Sequence, residues 1–153
     1  TRPPVGWLKV NTNVAFLANS GESSAGYIIR DYMGRLVRAQ GVKLHACVSI
    51  EEAEVCSCVI GLKVALELGN EKIIVESDCA AVISNILSHA TPLAAWRKHY
   101  IVIRELLQDR SNIFFRKIGR DGNKFAHELA KQIQIGGSLY GPTTTGFDAV
   151  GAI

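Results

Sequence analysis

The sequence has little that would place it among membrane, secreted or disulfide-bonded proteins. Its 153 residues include four cysteines, Cys47, Cys56, Cys58 and Cys79, which lack both the C-x-x-C spacing of a zinc site and the density of a disulfide framework. No apolar run reaches the ~18 residues of a membrane span. The N-terminal stretch TRPPVGW also lacks the apolar core of a signal peptide. We therefore expect buried free thiols and a soluble, intracellular protein that does not contact a membrane.

The chain also lacks a strong overall charge and an internal repeat. Its net charge of +3 is too small to indicate a basic field over the whole molecule. Any nucleic-acid surface must therefore come from local clusters of charge. A length of 153 residues with 48% hydrophobic content is enough for one domain with a sizeable core.

The first third of the chain follows the period of strands and then that of a helix. Apolar and polar residues alternate in LKVNTNVAF, and AGYIIRDYMGRLVRAQGV supplies two more strands around a turn at 31–34. These segments predict an antiparallel meander. Ser49 and Glu52 then predict a capping box, and the apolar stretch that follows predicts a long buried helix ending at Gly69.

The rest of the chain alternates strands and helices. KIIVES and NIFFRKIG are predicted strands, whereas DCAAVISNILSH, AAWRKHYIVIRELLQDR and GNKFAHELAKQI are predicted helices. The predicted order is β-β-β-α-β-α-α-β-α, an α/β fold with a mixed sheet. We expect residues 1–6 to be a linker, 7–135 the domain, and the Gly- and Thr-rich segment 136–153 a flexible tail.

Two acidic residues lie at junctions of strands and helices, where ligands of such sheets usually bind. Glu54 lies one turn inside the first long helix, and Asp78 directly follows the strand KIIVES. Each also has a structural explanation: Asp78 as a helix cap, and Glu54 as a solvated acid favoured by the helix dipole. The residues alone leave both explanations open.

Five blocks in order along the chain carry a family resemblance. They are GWLKVNTNVAF, AGYIIRDYMGRLV, EEAEVCSCVIGLKVALELG, KIIVESDCAAVISNI and GRDGNKFAHELAK. Together they resemble the plant ribonuclease H-like domain, a branch of the ribonuclease H superfamily met in retroelement-derived sequences, from about Trp7 to Ile135. The resemblance implies a five-stranded mixed sheet flanked by helices. It also implies an ancestral reaction in which two divalent ions hydrolyse the RNA strand of an RNA/DNA hybrid.

In that family four acidic residues hold the metals, and the resemblance assigns each to a position here. The first-helix Glu falls on Glu54 and the fourth-strand Asp on Asp78, so these two are the candidate Mg²⁺ or Mn²⁺ ligands. The first-strand Asp falls on Asn13, because the family usually has VNTDGA where this chain has VNTNVA. The last-helix Asp falls on His127, because the family has roughly GNRVADALAK where this chain has GNKFAHELAK. The candidate catalytic set therefore departs from the family at two of its members.

Both departures predict weakened metal binding. Two-metal catalysis brings cations to roughly 3.5–4 Å, so the protein must supply several anionic ligands. Asn13 offers only a neutral oxygen, and the imidazole of His127 suits Zn or Mn better than Mg²⁺. We expect the chain as written to be inactive or weakly active.

The origin of these changes has two explanations. Asn13 is either natural, marking a nuclease that has decayed, or an engineered Asp→Asn replacement. A second, independent departure at His127 favours decay. His127 itself is either a surface residue or a proton carrier or ligand for a softer ion.

A basic segment indicates where nucleic acid would bind. Between residues 97 and 120, seven Lys or Arg stand against two acids. Arg97, Lys98 and Arg120 are the candidate phosphate contacts, and Trp96 and Tyr100 would stack on bases if exposed. The alternative is an ordinary solvated face, with both aromatics as core or anchor residues.

The sequence therefore predicts a ribonuclease H-like domain that binds an RNA/DNA hybrid or RNA, with a degenerate two-metal site. Two alternatives stay open. One is an active hybrid ribonuclease in which Asn13 is tolerated or engineered. The other is a protein-interaction module on the same fold, with a protein partner.

Overall fold

The computed structural model describes the backbone of residues 1–136 and side chains to residue 133. Its elements are β1 Leu8–Phe16, β2 Ser23–Arg30, β3 Leu36–Lys43, α1 Ile50–Glu67, β4 Ile73–Ser77, α2 Ala80–Leu87, α3 Arg97–Leu107, β5 Ile113–Lys117 and α4 Lys124–Gly136. A 3₁₀ turn, Arg120–Asn123, leads into α4. The order matches the one predicted. The predicted tail beyond residue 136 lies outside the described residues.

The five strands form one mixed sheet in the order β3-β2-β1-β4-β5. β1 pairs antiparallel with β2, and β2 with β3, whereas β1 pairs parallel with β4, and β4 with β5. This confirms the predicted fold class. β1 is the central strand and is buried from residue 8 to residue 14, so the side chains along it, Asn13 included, lie in the middle of the molecule.

Helix α1 packs closely on one face of the sheet. A methyl group added at Gly61 would lie 2.8 Å from Val10 Cγ1 and 2.9 Å from Thr12 Cγ2, so only glycine allows this approach. The Ser49 side chain caps the helix by accepting from the Glu52 backbone N–H at 3.1 Å. The reciprocal bond of the predicted capping box differs, because Glu52 Oε1 accepts from the N–H of Val48, 2.8 Å away.

Helix α4 packs on the opposite face. Successive residues of a strand point to opposite sides of a sheet, and in β2 Gly26 faces α4 while Tyr27 faces α1. A methyl group at Gly26 would overlap the carbonyl oxygen of Ala126. Ser24 adds a hydrogen bond by donating to the Ala130 carbonyl oxygen at 2.6 Å. The sheet is thus covered on both faces.

All four cysteines are free thiols, as predicted. Cys47, Cys56 and Cys58 are buried and Cys79 is partly buried. Among residues 1–136, no helix is both long enough and apolar enough to cross a bilayer.

Candidate metal and nucleic-acid site

The four candidate catalytic residues meet in one cavity. Asn13, Glu54, Asp78 and His127 all line a cavity of about 390 Å³. They come from four elements or their ends, so the cavity exists only when the sheet and both helix layers are assembled. The structure therefore brings together all the positions that the family resemblance picked out.

Strand register explains why Asn13 and Asp78 are neighbours. Thr12 of β1 lies opposite Ser77 of β4 in a parallel pair. Asn13 and Asp78 are the next residues along each strand, so both reach the same edge of the sheet. This is the edge at which strand carboxyl ends meet helix starts.

Glu54 enters the cavity from the first turns of α1. Its side chain is buried, and its Oε1 has no hydrogen-bond partner among the described residues. Burial raises the pKa of the Glu54 carboxyl to about 8, and the negative charge of Asp78 adds to the effect. A buried carboxylate oxygen without a donor is costly, and a cation would relieve that cost.

Asn13 is buried, and its side-chain oxygen is already engaged. Oδ1 accepts from the Val14 backbone N–H at 2.7 Å. A neutral amide oxygen held by the backbone is a poor substitute for a carboxylate that bridges two cations.

His127 is positioned by the start of α4. The Asn123 amide donates to the carbonyl oxygen of Thr12 and so ties the 3₁₀ turn to β1. His127 follows one helical turn later and is half-buried. Asn123 was not singled out from the sequence, although it lies in the family block GRDGNKFAHELAK.

The cavity contains two further carboxylates that sequence reasoning missed. Asp121 and Glu128 both line it and are exposed to solvent. Glu128 directly follows His127, and that adjacency was the only signal in the sequence. Two basic residues, Arg120 and Lys124, line the same cavity. The lining thus carries four carboxyl groups and two basic side chains.

The described cavity residues do not form a ready-made metal cluster. Groups of at least three His, Cys, Asp or Glu with ligand atoms within 4.8 Å of one another occur elsewhere within residues 1–133, but not here. Glu54 and Asp78 are hard oxygen donors of the kind that Mg²⁺ and Mn²⁺ prefer. Asn13 and His127, which line the cavity with them, carry no carboxylate.

The three predicted phosphate contacts are not all at this cavity. Arg120 lines it, whereas Arg97 and Lys98 are exposed at the start of α3 and do not. Several other basic residues of the segment make internal bonds: Arg104 with His89, Arg110 with Leu106, and Arg116 with Glu76. Of these three, only Arg116 has its charge offset by a carboxylate, because the other two bond to neutral carbonyl oxygens.

Tyr100 cannot stack on bases, so that interpretation is wrong. Its side chain is 2% exposed, and its hydroxyl donates to Glu51 Oε2 at 2.8 Å. Trp96 is partly buried, and its indole N–H donates to the same oxygen at 2.9 Å. Both aromatics anchor α3 to α1, which is the core alternative.

Comparison with protein families decides the assignment. The family model described as reverse transcriptase-like matches residues 11–133. The chain belongs to the reverse transcriptase-like family. A curated protein of Arabidopsis thaliana, named "putative ribonuclease H protein", is 32% identical to it over 95 residues. That match covers 60% of this chain, and the chain spans only 15% of the length of that relative.

Solved structures identify the fold of this reverse transcriptase-like domain as that of ribonuclease H. Ribonuclease H1 of Halobacterium salinarum has a TM-score of 0.78 at 19% identity, covering 86% of this chain and 99% of that one. The compost-metagenome LC11 ribonuclease H1, solved with an RNA/DNA hybrid, has a TM-score of 0.75 at 17% identity. That match covers 86% of this chain and 99% of the LC11 chain. A foamy viral protease-reverse transcriptase, solved with double-stranded DNA, has a TM-score of 0.68 at 13% identity. That match covers 85% of this chain and 96% of the viral chain.

Proposed function

We propose that this domain binds RNA/DNA hybrid or RNA and that its two-metal nuclease site is degenerate. The observation that carries the proposal is the state of Asn13, whose oxygen accepts from the Val14 N–H instead of offering a charged bridge. His127 is the second position without a carboxylate, because it stands where the family places its fourth acid. Glu54 and Asp78 are the two family positions that keep their carboxylates.

Charge balance supports a site that holds at most one divalent ion. A pair of divalent ions in such a site activates the attacking water and stabilises the leaving oxygen, and four anionic ligands would offset their charge. Glu54 and Asp78 supply two negative charges when both are ionised. One Mg²⁺ or Mn²⁺ held by these two is consistent with the cavity, while a close pair of ions is not.

Nucleic-acid binding is supported by the surroundings of the cavity and by the relatives. Arg120 and Lys124 lie at the cavity wall, where a phosphate would approach the metal position. The LC11 enzyme was solved with a hybrid, and the foamy viral protein with duplex DNA. Backbone phosphate contacts of this type are sequence-independent and weaken with salt.

A second candidate is an active hybrid ribonuclease. The observation that favours it is the presence of Asp121 and Glu128 in the cavity. If either carboxylate turned toward a bound ion, it would restore part of the missing charge. Glu128 stands next to His127 and is the better placed in sequence to replace the lost acid.

One experiment separates these functions. Binding of a labelled RNA/DNA hybrid is measured by fluorescence anisotropy, and cleavage by gel electrophoresis, with Mg²⁺ and with Mn²⁺. We expect salt-dependent binding without cleavage. The double variant Asn13→Asp/His127→Asp should gain metal-dependent cleavage because it restores both carboxylates. The matched control adds Glu54→Gln to that double variant and should be inactive.

The outcomes distinguish the candidates. Absence of binding at low salt would remove the nucleic-acid function. Cleavage by the unaltered chain as fast as by the double variant would refute degeneracy. If the Glu128→Gln variant then lost that cleavage, Glu128 would be the ligand that replaces the missing acid.

A further inference from the structure

A group of soft metal-ligating side chains lies outside the cavity, near the start of α1. Its members are His45, Cys47, Glu52, Cys56 and His99, called here the His–Cys cluster. His45 and Cys47 come from the loop between β3 and α1, Glu52 and Cys56 from α1, and His99 from α3. None of them lines the cavity that holds Glu54 and Asp78.

The ligand atoms of the cluster converge. Glu52 Oε2 lies 3.3 Å from His45 Nε2 and 3.4 Å from His99 Nε2. Cys56 Sγ lies 3.4 Å from His99 Nε2, and Cys47 Sγ lies 3.9 Å from His45 Nε2. Two triads, His45–Cys56–His99 and His45–Cys47–Glu52, each keep all their ligand atoms within 4.8 Å of one another.

Three of these four separations match the edges of a zinc tetrahedron, and the 3.9 Å between Cys47 Sγ and His45 Nε2 is slightly longer. Zn–S bonds of about 2.3 Å and Zn–N bonds of about 2.0–2.1 Å imply ligand-to-ligand edges of roughly 3.3–3.6 Å. Imidazole and thiolate favour zinc over Mg²⁺ or Ca²⁺, which prefer oxygen ligands. The chemistry of this group therefore differs from that of the carboxylate cavity.

We propose that the His–Cys cluster is a Zn²⁺ site. His45, Cys56 and His99 are its common ligands, and Cys47 Sγ or Glu52 Oε2 completes the tetrahedron. Each coordinating thiol gives its proton to solvent as the metal binds, and no redox change is involved. The ion would join the β3–α1 loop to α1 and α3, and so fix the end of α1 from which Glu54 projects.

Burial and access suit a structural ion. Cys47 and Cys56 are buried, and Glu52 is held in place because its Oε1 accepts from the Val48 N–H. The His45 side chain is 54% exposed, whereas that of His99 is 16% exposed. An ion would enter past His45 and then be enclosed by the other ligands.

The competing explanation is a network of hydrogen bonds without metal. In it, both imidazoles bond to Glu52 and the two rings stack with centroids 6.0 Å apart. This network accounts for Glu52 and the histidines. In it, the Cys47 thiol can also donate to the His45 carbonyl oxygen at 3.5 Å. Each imidazole Nε2, however, faces both Glu52 Oε2 and a thiol, and one ring nitrogen cannot donate to the carboxylate and accept from the thiol at the same time. This convergence is the basis for preferring zinc.

Co²⁺ and Zn²⁺ titration of metal-stripped, reduced protein tests the site. We expect one tight Co²⁺ equivalent with tetrahedral visible bands and a thiolate charge-transfer band in the near ultraviolet, displaced by Zn²⁺ but not by excess Mg²⁺. Cys56→Ser should remove the charge-transfer contribution of that thiol and lower zinc affinity by at least about 10-fold. Zinc should also raise the thermal midpoint of the unaltered protein.

Controls separate loss of a ligand from loss of the fold. His45→Ala changes an exposed ligand and should fold while binding zinc at least about 10-fold more weakly. Cys79→Ser and His89→Ala change the same residue types outside the cluster and should bind zinc normally. Cys47→Ser should weaken the charge-transfer band if Cys47 is the fourth ligand, and Glu52→Gln should lower affinity without that spectral change if Glu52 is.

Three results would overturn the proposal: no stoichiometric binding, a Co²⁺ spectrum without a thiolate band, or unchanged zinc affinity in both His45→Ala and Cys56→Ser. Asp78→Asn serves as a check on independence, because it alters the carboxylate cavity and should leave zinc affinity unchanged.

Discussion

Asn13 is a buried, uncharged side chain in a cavity lined by carboxylates. Its amide adds no charge beside Glu54 and Asp78, and its oxygen accepts from the Val14 N–H at 2.7 Å. An aspartate there would place another buried carboxylate beside Glu54 and Asp78, in a cavity where burial has already raised the pKa of Glu54. Without a cation, like charges brought together away from water oppose folding. The neutral amide at this position therefore avoids that electrostatic cost.

We predict that Asn13→Asp lowers the free energy of unfolding of the metal-free protein by about 1–3 kcal/mol, because the added carboxylate is buried beside two others. Millimolar Mg²⁺ should restore much of that loss, since an ion held by the proposed Glu54–Asp78 site would stabilise the folded state alone. Urea denaturation with EDTA and with Mg²⁺ measures both effects.

The matched control for this change is Asn19→Asp, which is the same replacement at an exposed position. It should alter stability by less than about 0.5 kcal/mol, with no response to Mg²⁺. Equal stability of Asn13→Asp and the unaltered protein in EDTA would contradict the electrostatic argument.

At the scale of elements, α1 connects three parts of the molecule through three acids. Glu51 accepts from Trp96 and Tyr100 and thereby holds α3. Glu52 faces the histidines of the His–Cys cluster. Glu54 enters the cavity two residues later, because each helical residue turns about 100° from the one before. A change at the start of α1 would therefore disturb α3, the His–Cys cluster and the cavity together.

Helix α4 depends on a different feature, its close approach to glycines in the sheet. We predict that Gly26→Ala destabilises the protein by about 1–3 kcal/mol or more, because the methyl group would overlap the Ala126 backbone and α4 would have to move. The displacement should also weaken hybrid binding, since α4 carries Lys124 and His127. Urea denaturation and anisotropy measure the two effects.

Gly119→Ala is the matched control for the helix-packing prediction. Its φ is −75°, and an added methyl group would have no heavy atom within 4 Å among the described residues. It should change stability by no more than about 0.5 kcal/mol. If Gly26→Ala were as stable as Gly119→Ala, close packing of α4 would not be what positions this helix.

For the molecule as a whole, periodicity predicted the strands, the helices and their order, because these follow from side-chain patterns within single elements. The family resemblance, not periodicity, assigned Asn13, Glu54, Asp78 and His127 to one site, and all four line one cavity. Asp121, Glu128 and the His–Cys cluster were not predicted, because their proximity depends on the paths of a loop and a 3₁₀ turn. His45 and His99, for example, are 54 positions apart in the chain and meet only through the docking of α3 on α1.

The charge of the whole surface is weak, so binding should depend on the few cations at the cavity. We predict that Arg120→Ala/Lys124→Ala weakens hybrid binding and reduces the slope of log affinity against log salt by roughly 1 for each lost phosphate contact. Lys72→Ala is the control, because Lys72 precedes β4 at the end opposite Asp78 and is exposed. Anisotropy titrations over a range of salt concentrations give both slopes. An unchanged slope in the double variant, or an equal reduction in the control, would place the nucleic acid on another surface.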